Sequence, residues 1–424
     1  MVIWQKLYRV SVIVFILLSL PLWLHADTLQ AISITDKVRV FTRNSEFDYV
    51  RWTIQAFWDE AEQLTIDAPS YLNPTQERLV VFNSLALMRT IDQVEYAIAE
   101  LYSDPLVTDP DGATRLLQKR FSQLQDLYAM QLPLFEKVLQ DQISSTLVVQ
   151  DLQVAGDVFP PVLFHISELP LQLIISPRDE IRQETAISIQ EDFSLENIIA
   201  LEQQVEESLD LSALIVPLGG VGVYPTMVFR SSDLGYLLEI IAHEWTHNYL
   251  TLRPLGWRYA QNPQLRSMNE TTASICGKEI SNMVLRRYYP ELVINIQDDP
   301  ENYSLTSYTR YQDDQLFDFR REMYLTRLEV DKLLSAGKVE EAEEYMEERR
   351  EIFWENGYRL RRINQAYFAF YGAYADVPYG PAGEDPVGSA VRELRQRSVN
   401  LADFLNTMAG LTSFEELQQD LNSY

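Results

Sequence analysis

The pentapeptide His243-Glu244-Trp245-Thr246-His247 is the feature that most constrains how this chain folds. It lies within the apolar stretch 234–252, a pattern that predicts a buried helix. Residues four positions apart on a helix leave the same face about one turn apart, so both imidazoles reach a single Zn²⁺ ion. Glu244 is rotated by roughly 100° from His243, which places it to activate a zinc-bound water as general base.

The alternative is a helix that carries two histidines as ordinary packing or surface residues. Histidine is scarce in this chain, because the protein has four histidines and two of them lie in this motif. Buried imidazoles need polar partners, and a metal ion supplies one. The sequence therefore predicts a zinc site with His243 and His247 as ligands.

A catalytic zinc site usually has three protein ligands and one open position. An Arg-Pro-Leu-Gly run at 253–256 should end the first helix, and a second helix is predicted from 265 to 287. If the second helix folds back antiparallel, Glu270 lies beside the two histidines and completes a His₂Glu set. Glu279 is the rival, but it faces the opposite side of the same helix and lies further from the turn, so we expect Glu270.

Three residues near Glu270 have weaker predicted roles. Asn269 and Ser274 are candidates for orienting the metal ligands, although Ser274 fits equally well as a small packing residue. Cys276 points elsewhere and is interpreted as a buried small hydrophobe. It is the only cysteine, so the chain has no internal disulfide and its compartment cannot be read from redox chemistry.

The charge balance excludes one class of partner. The formal net charge is −27, and no basic patch is evident, so a nucleic-acid partner is not expected. A length of 424 residues with 46% hydrophobic residues permits a sizeable core in two or three domains, or in one catalytic unit with helical additions.

The N-terminus predicts export. Lys6 and Arg9 precede an uncharged apolar run at 10–24, which is typical of a signal peptide or of an uncleaved anchor. A cleaved leader predicts a secreted or periplasmic protein. A retained leader predicts a transmembrane anchor with an extracytoplasmic catalytic domain. The alternative is a buried helix of a cytosolic protein.

Hydrophobic periodicity divides the rest of the chain. Amphipathic helices are predicted at 47–64, 75–102 and 115–147, after a linker with a possible short strand at 37–41. Short segments rich in β-branched residues predict strands at 162–167, 172–176, 185–190, 213–218 and 223–229, with a helix at 195–209 between them. A helical hairpin is predicted at 316–336 and 339–370, hinged at Gly337, followed by a loop at 378–386 and helix at 387–423.

The strand just before the zinc helix carries a further hypothesis. If it is an edge strand, its free backbone groups could hold an extended peptide by strand addition. Gly219, Gly220 and Gly222 would then let the substrate backbone come close. An ordinary flexible turn is an equally good interpretation of these glycines.

The chain resembles the gluzincin metallopeptidases in two segments. These are the His-Glu-x-x-His helix and the downstream Asn-Glu-x-x-Ala, here Asn269 to Ala273. A narrower resemblance is to a family of predicted bacterial zinc aminopeptidases, in which a charged helical hairpin and a Leu-Asn-Asn-Ala-like segment ending in a tyrosine follow the zinc helices. Here 328–354 is similar to the hairpin, and Ile363-Asn364-Gln365-Ala366 through Tyr374 is similar to the segment.

The resemblance covers roughly residues 230–380 and implies an α+β, mostly helical fold. It implies a small sheet, the zinc helix and the glutamate helix, flanked by helical regions. The predicted organisation is a leader at 1–27, a helical domain at 28–155, a zinc catalytic domain at 156–310, and a C-terminal helical region at 311–424 that packs on the active site. The resemblance also implies that Tyr374 assists catalysis as the oxyanion stabiliser.

The predicted function is zinc-dependent hydrolysis of peptide bonds outside the cytoplasm, with peptides or proteins as substrates. The resemblance favours an aminopeptidase. An endopeptidase stays open, because no acidic residue that would bind a substrate ammonium group can be located in the sequence. The other alternative is a non-catalytic exported module that binds zinc, and an intact Glu244 argues against it because structural zinc sites do not need a base. His165 lies in an apolar strand and is interpreted as a core residue rather than a ligand.

Overall fold

The computed structural model describes residues 33–63, 71–104, 106–153, 156–293 and 317–423. This part of the chain is mostly helical, with two small sheets of three strands each, as the composition of its segments predicts. The described residues from Phe41 onward form one compact unit.

Among the described residues, four helices precede the sheets. They are α1 (Ile34–Thr42), α2 (Tyr49–Gln63), α3 (Pro74–Ser103) and α4 (Pro110–Val149). The last three confirm the predicted amphipathic helices. The predicted strand at 37–41 is wrong, because these residues belong to α1. Ser33 and Asp36 explain the difference: each side chain accepts a hydrogen bond from the other residue's backbone N–H, a capping pair that starts a helix.

Six strands and one helix follow. They are β1 (Phe164–Ile166), β2 (Leu171–Pro177), β3 (Thr185–Ile189), α5 (Leu195–Leu209), β4 (Leu211–Val216), β5 (Gly220–Val221) and β6 (Thr226–Val228). One sheet has the order β3-β2-β4 and is antiparallel, and the other has the order β1-β6-β5. In the second sheet β1 pairs with β6 in parallel and β5 pairs with β6 antiparallel.

The strand order corrects the hypothesis about the sheet edge. β6, the strand before the predicted zinc helix, lies in the middle of its sheet, and the two edge strands are β1 and the two-residue strand β5. A Cβ atom on Gly220 would lie 2.7 Å from Oε1 of Glu244, and one on Gly222 would lie 3.1 Å from Oε2 of the same carboxylate. These glycines therefore permit close packing of the sheet edge against the zinc helix.

The central elements are two long helices, α6 (Leu234–Thr251) and α8 (Pro263–Tyr288), joined through the short helix α7 (Pro254–Trp257). Ser281 of α8 donates to the carbonyl of Gly235 near the start of α6, and Asn269 contacts His247 near the end of α6. The two helices therefore run antiparallel, as predicted. Gly277 lies at their crossing, where an added Cβ would come 2.8 Å from the carbonyl oxygen of Glu239.

The remaining helices are α9 (Pro290–Val293), α10 (Phe319–Ser335), α11 (Val339–Glu355), α12 (Gln365–Tyr371), α13 (Pro386–Arg397), α14 (Leu401–Gly410) and α15 (Phe414–Ser423). The predicted hairpin is present as α10 and α11, with Gly337 in the left-handed region at φ 72°. Its second arm was predicted to reach 370, which is wrong. α11 ends at Glu355, and Gly357 follows with φ 91°, a conformation that favours glycine and stops a helix.

The two largest hydrophobic cores among the described residues organise the compact unit. The larger core joins α3, α4, β1, β6, α6, α8 and the three C-terminal helices. The second core packs α10, α11 and α12 against β2 and β4. Asn364 caps α12 by accepting from the Tyr367 N–H and also donates to the carbonyl of Ala213 in β4, which fixes the segment before Tyr374 on the sheet.

The prediction of a membrane-spanning segment requires a correction. Within the ranges that the structure describes, no helix combines the length and the apolar character needed to cross a bilayer. The predicted leader at 1–27 lies outside the described residues.

His165 is a hydrogen-bonded core residue, as interpreted from its apolar strand. Its Nδ1 lies 3.2 Å from Oε2 of Glu136, and its Nε2 donates to the carbonyl of Ala56 at 3.0 Å. The carboxylate of Glu60 lies 3.5 Å from Nε2. Burial, the largest single effect, lowers the pKa of His165, but Glu136, Glu60 and the carbonyl of Ala56 together outweigh burial and raise the pKa to about 9. The ring therefore joins α2, α4 and β1 as a buried cation.

His165→Ala should lower the free energy of unfolding by about 3–5 kcal/mol at pH 7, because it leaves buried carboxylates without their counter-charge. His165 has a higher pKa in the folded state than the usual 6.5. Its contribution is therefore complete below about pH 6.5 and is lost as pH rises through 9. Urea unfolding at pH 6.5 and pH 9 measures both effects. An equal difference between wild type and variant at the two pH values would contradict this account.

Candidate metal centre

The two histidines of α6 and one glutamate of α8 converge on a single point. Nε2 of His243 lies 3.0 Å from Nε2 of His247, and Oε2 of Glu270 lies 3.6 Å and 3.3 Å from these two nitrogens. Among the described residues, this is the group of acidic and imidazole side chains whose geometry could hold a metal ion. The structure thus brings together the three residues that were predicted as ligands.

The spacing of these three atoms suits a small divalent cation. Ligand atoms bound at roughly 2.0–2.1 Å to a tetrahedral zinc lie about 3.3–3.4 Å apart. The three observed separations, 3.0, 3.3 and 3.6 Å, bracket that value. Oε2 of Glu270 is buried and has no hydrogen-bond partner, although it faces both imidazoles. A metal ion inside the triangle of these three atoms would bind this oxygen and both imidazole nitrogens at once.

Asn269 fixes the orientation of one imidazole. Nδ1 of His247 donates to the amide oxygen of Asn269 at 2.7 Å, so Nε2 is the ring nitrogen that faces the centre of the triangle. This contact agrees with the predicted role of Asn269. Nδ1 of His243 and the hydroxyl of Ser274 are both buried without a hydrogen-bond partner. Ser274 therefore fits its alternative interpretation as a small packing residue.

Glu279 and Cys276 lie away from the centre. Glu279 forms a two-pronged ion pair with Arg395, at 2.7 and 2.8 Å, on the side of α8 that faces the C-terminal helices. Cys276 is fully buried in the larger core, as predicted. The prediction that Glu270 and Glu279 face opposite sides of the same helix is therefore correct.

Glu244 lies beside this triangle, on α6, the helix that carries the two histidines. Its carboxylate packs against the sheet edge at Gly220 and Gly222, as described above, and is 8% exposed. Burial raises the pKa of Glu244 above its usual value, and the two imidazoles limit the rise. The arrangement gives a carboxylate that is close to the three ligand atoms without being one of them.

Tyr374 reaches the centre from the second core. Its ring lies 6.1 Å from the ring of His243, measured between centroids, with an angle of 30° between the planes. Burial raises the pKa of Tyr374 well above its usual value, and the carboxylate of Glu270 adds to the rise. The structure therefore places a phenol that stays protonated at neutral pH beside the ring of His243.

Two residues near Glu270 were missed by the sequence analysis. Tyr259, in the turn after α7, donates its hydroxyl hydrogen to Oε1 of Glu270. Arg266 donates from Nε to the Tyr259 oxygen at 3.3 Å and from Nη1 to the carbonyl of Ala369 at 2.7 Å. The chain has 23 tyrosines, and no local pattern separates this one from the others.

The side chains of the three residues differ in their exposure to solvent. The side chain of His247 is 17% exposed, whereas those of His243 and Glu270 are 4% and 5% exposed. His247 therefore has the most exposed side chain of the three.

Charges inside the centre predict a pH dependence of metal binding. Burial, the largest single effect, lowers the pKa of His247, but Glu270, Glu244 and Asn269 together outweigh burial and raise the pKa to about 9. The imidazoles and Arg266 outweigh burial at Glu270 and hold the pKa of its carboxyl well below its usual range. The metal-free site therefore carries a proton on His247 at pH 7 and an ionised Glu270.

Zinc must displace that proton, so the apparent zinc affinity should rise about tenfold per pH unit between pH 7 and pH 9. Competition with a chelator of known proton affinity measures the trend, and calorimetry in two buffers of different ionisation enthalpy counts the released protons. An affinity that stays constant over this range would contradict the assignment of the proton to His247.

No model of a known protein family, no curated protein and no solved structure matches this chain.

Proposed function

We propose that this protein is a zinc-dependent hydrolase of peptide bonds with a gluzincin-type catalytic domain. The observation that carries the proposal is the triangle of His243, His247 and Glu270, with Glu244 beside it. A His₂Glu set is a known catalytic zinc combination and leaves one position open. Zinc held there would polarise the scissile carbonyl and lower the pKa of a water molecule.

Glu244 would act as the general base. Its position next to the ligand triangle lets it take a proton from the attacking water and later give it to the leaving amine. The raised pKa brings its proton affinity closer to neutral pH, which favours both transfers. The contact with Gly220 holds the carboxylate in place from the sheet side.

Tyr374 would stabilise the oxyanion that forms on the substrate carbonyl. Its raised pKa keeps the phenol protonated, so its hydroxyl is available as a donor. The ring reaches the site from a core different from the one that holds the zinc helices. The proposed active site therefore depends on the packing of the C-terminal helical region against the central helix pair.

The substrate is proposed to be a peptide with a free amino terminus, in keeping with the narrower family resemblance, and the site of action is outside the cytoplasm, as the leader predicts. Amino-terminal cleavage requires recognition of the substrate ammonium group. N-acetylated and free forms of one peptide series separate the possibilities: loss of cleavage on acetylation supports an aminopeptidase, and equal cleavage supports an endopeptidase.

The proposal is tested by metal analysis of the purified protein together with cleavage of a peptide library before and after chelation. We expect about one zinc per chain, cleavage that stops on chelation, and recovery when zinc is returned. A protein that holds zinc and cleaves nothing in the library would favour a binding module over an enzyme. A protein that binds no zinc would end the proposal altogether.

A further inference from the structure

We propose that Tyr259 is a positioning residue that selects which carboxylate oxygen of Glu270 faces the metal. This inference rests on the proposed zinc function. The two oxygens of Glu270 have different surroundings: Oε1 accepts the hydrogen bond from the Tyr259 hydroxyl, whereas Oε2 faces Nε2 of His243 and Nε2 of His247.

The contact matters because the two oxygens of a free carboxylate are equivalent. Without a donor on Oε1, Glu270 could turn or bind the ion through both oxygens, and the second oxygen would occupy the position that water needs. A hydrogen bond to a buried ionised carboxylate is stronger than one between neutral groups, because the charge strengthens it and water does not compete. Tyr259 therefore favours binding through Oε2 alone.

Arg266 holds Tyr259 in this role. One nitrogen of its planar guanidinium donates to the Tyr259 oxygen, and another donates to the carbonyl of Ala369 in α12. Ala369 lies five residues before Tyr374 in the chain. One series of hydrogen bonds thus joins the metal ligand Glu270 to the segment that carries Tyr374.

The hydrogen bonds of Arg266 link two parts of the site that belong to different cores. The ligand and the proposed oxyanion stabiliser belong to different cores, and Arg266 spans from α8 to α12. Its guanidinium also compensates the negative charge of Glu270 within the buried site. A change at Arg266 should therefore alter zinc binding less than a change at Tyr259 does, because the direct donor to Oε1 remains.

The test compares Tyr259→Phe with Tyr102→Phe. Both variants lose one tyrosine hydroxyl that donates to a carboxylate, and the partner of Tyr102 is Asp111, on the exposed surface of the N-terminal helices. We expect Tyr259→Phe to weaken zinc binding by about 10–100-fold, the range for loss of an outer partner of a ligand. Tyr102→Phe should bind zinc as the wild type does.

Cobalt gives a second readout that does not depend on activity. The visible absorption of bound Co²⁺ is strong in four-coordinate sites and weaker in five-coordinate ones, so Tyr259→Phe should lower the absorbance per bound ion if the second carboxylate oxygen joins. Arg266→Lys, which keeps the charge but loses the planar fork, provides a further variant with a smaller expected loss of zinc affinity.

The outcomes separate the two proposals. If the wild type binds neither zinc nor cobalt, the proposed function fails and this inference fails with it. If the wild type binds both ions and Tyr259→Phe binds zinc within threefold of it with the same cobalt spectrum, the positioning role alone is wrong.

Discussion

Glu270→Gln should weaken zinc binding by more than about 100-fold, because loss of an outer partner already costs about 10–100-fold and Glu270 is a direct ligand. The amide keeps the size of the side chain but has no negative charge for the ion. It also removes the carboxylate that raises the pKa of His247. Competition with a chelator at pH 7.5 measures the affinity, and metal analysis after gel filtration measures retention.

Glu279→Gln is the matched control for this change. It makes the same substitution nine residues later on the same helix, where the carboxylate binds Arg395 rather than the metal centre. We expect zinc affinity close to that of the wild type. If both variants lost zinc equally, the loss would reflect damage to α8, and if neither did, Glu270 would not be a ligand.

The helix that carries His243 and His247 could be predicted because its sequence signal is local. The two histidines are four residues apart on one helix, so their alignment does not depend on any distant contact. The choice of Glu270 over Glu279 needed one more element, the turn that reverses the chain. Asn262 caps the second helix at the place where the turn should end, which fixes where Glu270 stands relative to His247.

Other parts of the site could not be predicted because they depend on the path of irregular segments. Tyr259 contacts Glu270 only because the turn after α7 folds over the N-terminal part of α8. β5 has two residues and one of them is glycine, so it carries no strand pattern of its own. Its role as the sheet edge follows from pairing with β6 and from the space that Gly220 leaves for Glu244.

Two errors in the predicted elements have a common physical origin. Ser33 and Asp36 form a capping pair at the start of α1, and Gly357 adopts a left-handed conformation after the end of α11. Such signals at helix ends take precedence over the hydrophobic pattern, which led to a strand at 37–41 and to an overlong hairpin arm. The break after Glu355 lets Asn364 start a separate helix on the sheet, and this placement brings Tyr374 to His243.

Glu244→Gln should reduce the rate of peptide hydrolysis by about 10²–10⁴-fold, the usual contribution of a general acid–base group, and leave the zinc content unchanged. Glutamine fills the same space beside Gly220 but has no oxygen that accepts a proton at neutral pH.

In the wild type, activity should rise with pH as Glu244 ionises, since only the carboxylate form takes a proton from water. The variant should lack that limb. Initial rates are measured on one peptide substrate between pH 4.5 and 8.5, and the zinc content is measured at each pH. The two measurements separate loss of the base from loss of the metal. Glu279→Gln again serves as the control. Full activity of Glu244→Gln with zinc bound would show that a group other than Glu244 removes the proton from water and acts as the general base.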